Sequence, residues 1–195
     1  MQRIADEDCG LPWPERLLSA MIDTPCGAVE LHTAYIPPGS SNGWTKVETF
    51  EGIYRRLARP SALPRILCGD FNTPQIERAD GRVVTWGECI GDDGAIKVDH
   101  ESDGRWDQAE RSVLCGLADY DLPDVFRQLH GYCVQDGSWF FTRCGRTTGR
   151  RFDHIFASGC LKAAACGYVH ELRDAGLSDH SAIEACFQPS RCAGC

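Results

Sequence analysis

The spacing of apolar positions divides the chain into short runs of two kinds. RLLSAMID at 16–23 and AVELHTAYI at 28–36 alternate partly between apolar and polar residues, and the TPCG between them is turn chemistry, so the pair predicts a β-hairpin. Pro37, Pro38 and Gly39 end the second run. Between Lys46 and Arg59 the period changes: Val47, Phe50, Tyr54 and Leu57 recur at helical spacing until Pro60 stops them. RILC at 65–68 is a short apolar strand ending at Gly69. Residues 80–104, rich in Gly and Asp, read as a loop, and Trp106, Ala109, Val113 and Leu117 predict a second amphipathic helix. SWFFT, FDHIFAS, ACGYVHEL and SAIEACF then alternate like strands, whereas the polar, proline-containing residues 1–16 read as loop or a broken edge. Strands and helices interleave without repeat, linker or low-complexity segment, which predicts one α/β domain over residues 1–195.

Composition narrows this little. A 43% hydrophobic content is enough for a core, and the net charge of -8 excludes a general nucleic-acid-coating surface while leaving room for a local grip on a few phosphates. The twelve cysteines have no recurrent spacing, and several fall in apolar strand-like runs (Cys68, Cys186), so they read as buried, reduced thiols. The one tight pair is Cys192 with Cys195, in a tail at 188–195 expected to be loose. No signal sequence and no run of membrane-spanning length is visible. The expectation is a cytoplasmic protein with no membrane partner and no obligate protein partner.

Polar residues gather at strand ends. RILC runs into GDFNTP, which places Asp70 and Asn72 two apart on one side of an extended segment. FDHIFAS puts Asp153 in an apolar strand, where a carboxylate needs a partner, and LSDHSAI sets Asp179 and His180 together before the last strand. Three acids, an amide and an imidazole are a kit for hard-cation binding and acid/base work on a phosphate. Each motif alone also has an ordinary reading as an Asx-capped turn, a structural carboxylate or a strand cap.

Taken in order, YIPP, GDFN, FDHIFAS and SDH resemble the endonuclease/exonuclease/phosphatase superfamily, closest to exonuclease III and the AP endonucleases. The likeness runs from about 16 to 187 and takes in Ser138 to Thr142 and the GRRFD at 149–153. It implies a two-sheet, four-layer α/β sandwich of the DNase-I-like kind, with the active site at one rim between the sheets. By this resemblance Tyr35 touches the substrate phosphate and Asp70 activates or orients the attacking water. Asn72 holds that water and the phosphate, and His180 contacts the scissile phosphate. Asp153 orients His180, while Asp179 and Asp70 serve the metal, magnesium or manganese.

Two departures matter. Arg150 stands where AP endonucleases often carry a bulky aromatic, and Phe141 to Phe152 holds Arg143, Arg146, Arg150 and Arg151 with no acid. The segment reads as a phosphate clamp or as a solvated loop. The family's N-terminal strand ending in asparagine, and the strand ending in the glutamate that is its principal magnesium ligand, have no counterparts before Asn42. The fold is therefore expected to be N-terminally incomplete, with Glu30 the first candidate for a substitute ligand. The resemblance implies a Mg²⁺-dependent phosphodiester hydrolase, most directly a DNA nuclease and poorly active in this form. The alternatives are a non-catalytic phosphate- or nucleic-acid-binding protein and a small-molecule or lipid phosphodiesterase or phosphatase.

Overall fold

The computed structural model describes residues 1–4, 10–25, 27–99 and 103–188. The predicted hairpin forms as β2 (Leu17–Thr24) and β3 (Gly27–Tyr35), antiparallel over their whole length. The chain then crosses back through the short helix α1 (Gly39–Asn42) and the longer α2 (Trp44–Leu57) to β4 (Arg65–Asp70), which lies parallel to β3. A parallel neighbour demands such a crossover, and the helix-period segment supplies it. The two-residue β1 (Gln2–Arg3) pairs on the outer edge of β2. On the other side β11 (Asp153–Ala157) pairs antiparallel with β4, giving a five-stranded sheet ordered β1-β2-β3-β4-β11.

One face of this sheet is covered by α2 and by α3 (Arg105–Leu114). Val47, Phe50, Ile53 and Leu57 of α2 are fully buried against Leu67, Phe71, Phe156 and Val113, each side chain contributing about 1.5–3 kcal/mol of hydrophobic stabilisation. The opposite face packs beneath an antiparallel pair, β12 (Ala163–Val169) with β13 (Ala182–Phe187), and beneath α4 (Val125–His130). Ile66, Cys68, Ile155 and Ala157 meet Cys166, Tyr168, Ile183 and Ala185 there. Helices, sheet and second sheet thus stack in layers, as expected for the α/β sandwich.

Several expectations need correction. The supposed loop at 80–104 holds three short strands: β6 (Val83–Val84) pairs antiparallel with β5 (Ile76–Glu77) just before it, and β7 (Glu88–Ile90) pairs antiparallel with β8 (Ile96–Val98). The second helix stops at Leu114, and Leu117 lies in a separate 3₁₀ turn, Gly116–Tyr120. SWFFT forms β9 (Trp139–Arg143), but it pairs with an unforeseen strand, β10 (Arg146–Arg150). A short helix α5 (Glu171–Asp174) precedes β13. Among the described residues Cys166 is the only buried cysteine; six, from Cys89 to Cys186, are exposed because they fall on edges and turns. Cys192, Cys195 and the tail beyond Gln188 lie outside the described residues.

Candidate active site

Three adjacent strand ends set the site. Tyr35 closes β3 and is in register with Asp70, which closes β4, and Asp70 is in register with Asp153, which opens β11. Residues in register point to the same face, here the one toward β12 and β13. An isolated bridge between Trp139 and His180 brings the segment before β13 to the same rim. The chain approaches closely at Gly69, whose φ is +140°; a Cβ there would sit 1.9 Å from the Ala34 carbonyl oxygen, so only glycine fits.

Asp70 and Asn72 come together by a turn and not by extended alternation. Asn72 is left-handed (φ 50°), its backbone N–H donates to Asp70 Oδ1 at 2.9 Å, and its Nδ2 donates to Asp70 Oδ2 at 3.0 Å and to the Ile36 carbonyl at 2.9 Å. The turn is held from below. Lys46, 1% exposed, donates to the Asn72 carbonyl at 2.9 Å and pairs with the buried Glu110 at 2.7 Å. Trp86 Nε1 donates to the same carbonyl at 3.0 Å, and Glu110 accepts from Thr73 Oγ1, the Trp86 N–H and Trp106 Nε1. Sequence reading missed this support. Its one signal was a charged residue on the apolar face of each helix, Lys46 one turn from Phe50 and Glu110 one turn from Trp106.

His180 Nδ1 lies 2.7 Å from Asp153 Oδ2. The Asp153 hydrogen bond raises the imidazole above its ordinary value, against the opposing effect of burial, and Asp70 and Asp179 add to the rise. Burial pushes the Asp70 carboxyl up to about 6, with the neighbouring Asp153 charge adding to it and the Asn72 N–H opposing it. An imidazolium with Nδ1 engaged keeps Nε2 for a substrate oxygen, and a carboxyl near 6 is ionised at neutral pH yet basic enough to take a proton from water.

These groups line one cleft of about 580 Å³, shared by Tyr35, Asp70, Asn72, Asp179 and His180 and walled by Trp86, Trp106, Trp139 and Phe152. Of the four arginines only Arg150 reaches it. Arg143 and Arg146 are exposed at the far end of the β9–β10 hairpin. Arg151 requires correction: it is 1% exposed, faces away from the cleft, and is consumed by Glu77 (3.1 Å), Asp124 (2.8 Å) and the Tyr168 hydroxyl (3.0 Å). Glu30 is excluded as a substitute ligand, because it sits at the opposite end of β3 from Tyr35, beside His32 and in register with Arg65.

Asp70, Asp153 and His180 offer ligand atoms within 4.8 Å of one another. His180 is held as a donor by Asp153, so the oxygen chemistry that remains comes from Asp70, with the exposed Asp179 on the same cleft. One or two carboxylates, with water and phosphate oxygens, are what a small hard cation takes, and the residues fit it.

The profile of the Endonuclease/Exonuclease/phosphatase family matches residues 24–180. No curated protein matches significantly. Among solved structures, D. rerio TDP2 complexed with single strand DNA product superposes with a TM-score of 0.57 at 14% identity, over 88% of this chain and 61% of that one. An endonuclease/exonuclease/phosphatase family protein from Leptotrichia buccalis gives 0.54 at 20% identity over 88% and 53%. The chain therefore spans between half and two thirds of these two proteins' lengths. Among the described residues no helix is long and apolar enough to cross a membrane.

Proposed function

This chain belongs to the endonuclease/exonuclease/phosphatase family, and from that premise we propose that it is a magnesium-dependent phosphodiester hydrolase whose substrate is DNA. The observation that carries the reading is the convergence of Tyr35, Asp70, Asn72 and His180 on one cleft from separate stretches of chain, with Asp153 locked to His180 at 2.7 Å. In this reading Asp70 orients the attacking water and accepts its proton. Asn72, fixed by its turn, holds Asp70 and presents its remaining amide oxygen and the strand end to water and phosphate. His180, kept as imidazolium by Asp153, donates from Nε2 to the non-bridging phosphate oxygen on which charge develops. The Tyr35 hydroxyl positions the same phosphate. Asp70 and Asp179 would hold magnesium, which when bound neutralises phosphate charge.

The aromatic walls suit a nucleotide better than a lipid tail or a polyol, because bases stack on such rings. The structure of D. rerio TDP2 with single strand DNA product supports the same substrate. One observation favours the second reading, a non-catalytic phosphate-binding protein: among the described residues Asp70 and Asp179 are the only carboxylates that line the cleft. Hydrolysis of bis(4-nitrophenyl) phosphate with and without magnesium separates the two. Turnover that needs the metal and vanishes in Asp70→Ala supports the hydrolase; turnover unaffected by either excludes it.

A further inference from the structure

Arg150 is an anomaly beside its neighbour. Arg151 is paired with two acids and a tyrosine hydroxyl, whereas no hydrogen bond or ion pair reaches the Arg150 guanidinium among the described residues, and its Nε is buried without a partner. Instead the guanidinium carbon lies 4.6 Å from the ring centre of Trp86, 4.7 Å from Phe141 and 5.9 Å from Trp139. Rings attract the cation but accept none of its N–H donors as a carboxylate would. Burial alone moves its pKa, downward, and no acid compensates. A half-buried cation without a counter-ion is costly, and here it is pinned in the wall of the cleft that holds Asp70, Asn72 and His180. Packing on three rings fixes the side chain in place, so the fork is organised before any ligand arrives.

We propose that Arg150 is the receptor for a second anionic group of the substrate, a phosphate next to the one attacked, so that the cleft selects ligands carrying two neighbouring phosphates. The inference rests on the phosphodiesterase reading and deepens it. A lone diester flanked by neutral groups, such as a choline or polyol ester, leaves Arg150 unsatisfied, whereas a nucleotide chain or a 5′-phosphorylated end satisfies it. The other cations near the cleft do not compete for this role: Lys46 is committed to Glu110 and Asn72, His180 to Asp153, and Arg16, stacked 4.4 Å from the Tyr35 ring centre, does not line the cleft.

Three small ligands test this by quenching of tryptophan fluorescence, without magnesium so that none is consumed: TpT with one phosphate, pTpT with a terminal second one, and TpTpT with an internal second one. The protein is expected to bind pTpT, TpTpT or both at least ~10-fold more tightly than TpT, the size of one charge-assisted hydrogen-bonded contact. Preference for pTpT alone identifies a terminal phosphate as the source, and preference for TpTpT identifies the chain. Arg150→Gln should bring the ratio to about one with TpT affinity little changed, and Arg150→Lys, which keeps the charge but not the fork, should restore it in part. Should the glutamine variant fail to fold, a reduced ratio in Arg150→Lys supports the assignment and an unchanged ratio overturns it. Equal affinity of the wild type for all three ligands overturns the inference alone. No affinity for any overturns the phosphodiesterase reading as well.

Discussion

Arg151→Ala should destabilise the fold without altering phosphate recognition. Arg151 is 1% exposed and lies between Glu77 and Asp124, themselves 8% and 10% exposed, so its removal strands two buried carboxylates. Glu77 keeps Arg127 (2.6 Å), and Asp124 keeps His154 (2.9 Å) and the Arg127 backbone N–H (2.9 Å). Removing one partner of a buried ion pair costs about 3–5 kcal/mol, and the surviving partners place this case near 3. At about 2–4 °C per kcal/mol for a domain of this size, the melting point should fall by about 6–12 °C. A second signature lies at low pH. Burial would raise the Asp124 carboxyl, but Arg151 and His154 outweigh it and hold the group well below the usual range. A depressed carboxyl contributes stability above its unfolded value, about 3.9, and loses it as pH falls toward the folded value. Urea denaturation of the wild type should therefore lose stability steeply below about pH 4, and the variant, already without that contribution, less steeply. A loss under about 1 kcal/mol at neutral pH, with unchanged acid dependence, would return Arg151 to the solvent-facing clamp that the sequence suggested.

Four further outcomes follow from named contacts. Gly69→Ala should cost about 3 kcal/mol or prevent folding, since its Cβ meets the Ala34 carbonyl at 1.9 Å; a neutral melting curve contradicts the close approach. In metal-free protein the Asp70 carboxyl carbon should titrate near 6 by NMR, and Asp153→Asn should lower that value by removing a like charge; a value near 4 in both contradicts the desolvated carboxylate. Arg143→Glu with Arg146→Glu should weaken binding of a long DNA strand and flatten its salt dependence while leaving dinucleotide affinity alone, because both residues lie at the far end of the hairpin. Lys46→Met should leave the buried Glu110 unpaired and slacken the Asn72 turn, which a loss of protection at the Phe71 and Asn72 amides in hydrogen exchange would register.

Much of the frame was legible because burial writes a period into the chain. The hairpin at 17–35, the helix at 44–57 and the strand at 65–70 lie within a residue or two of the patterned runs. The strand RTTGR at 146–150 was not legible, since an exposed hairpin arm buries neither face and leaves no alternation. The two-residue strands at 76–77 and 83–84 are too short to show any period. Arg150 and Arg151 were grouped as one clamp, yet adjacent residues leaving a strand point to opposite sides, so both could not face one cleft. The acids that claim Arg151 stand 74 and 27 positions away, a distance that only the tertiary fold closes. Asp70, Asn72, Asp153 and His180 were visible as motifs because each sits where a strand ends, but the left-handed Asn72 and its support by Lys46, Glu110 and Trp86 emerged only from the packing.

The central claim, that Asp70 and His180 hydrolyse a phosphodiester, is tested most directly in a single turnover with protein in excess over an end-labelled single-stranded oligonucleotide. With only two carboxylates, Asp70 and Asp179, lining the cleft among the described residues, cleavage should be slow, should require magnesium or manganese, and should disappear in both Asp70→Asn and His180→Ala while the oligonucleotide still binds. Cleavage that survives in Asp70→Asn, or binding with no metal-dependent cleavage at any time in the wild type, would contradict it.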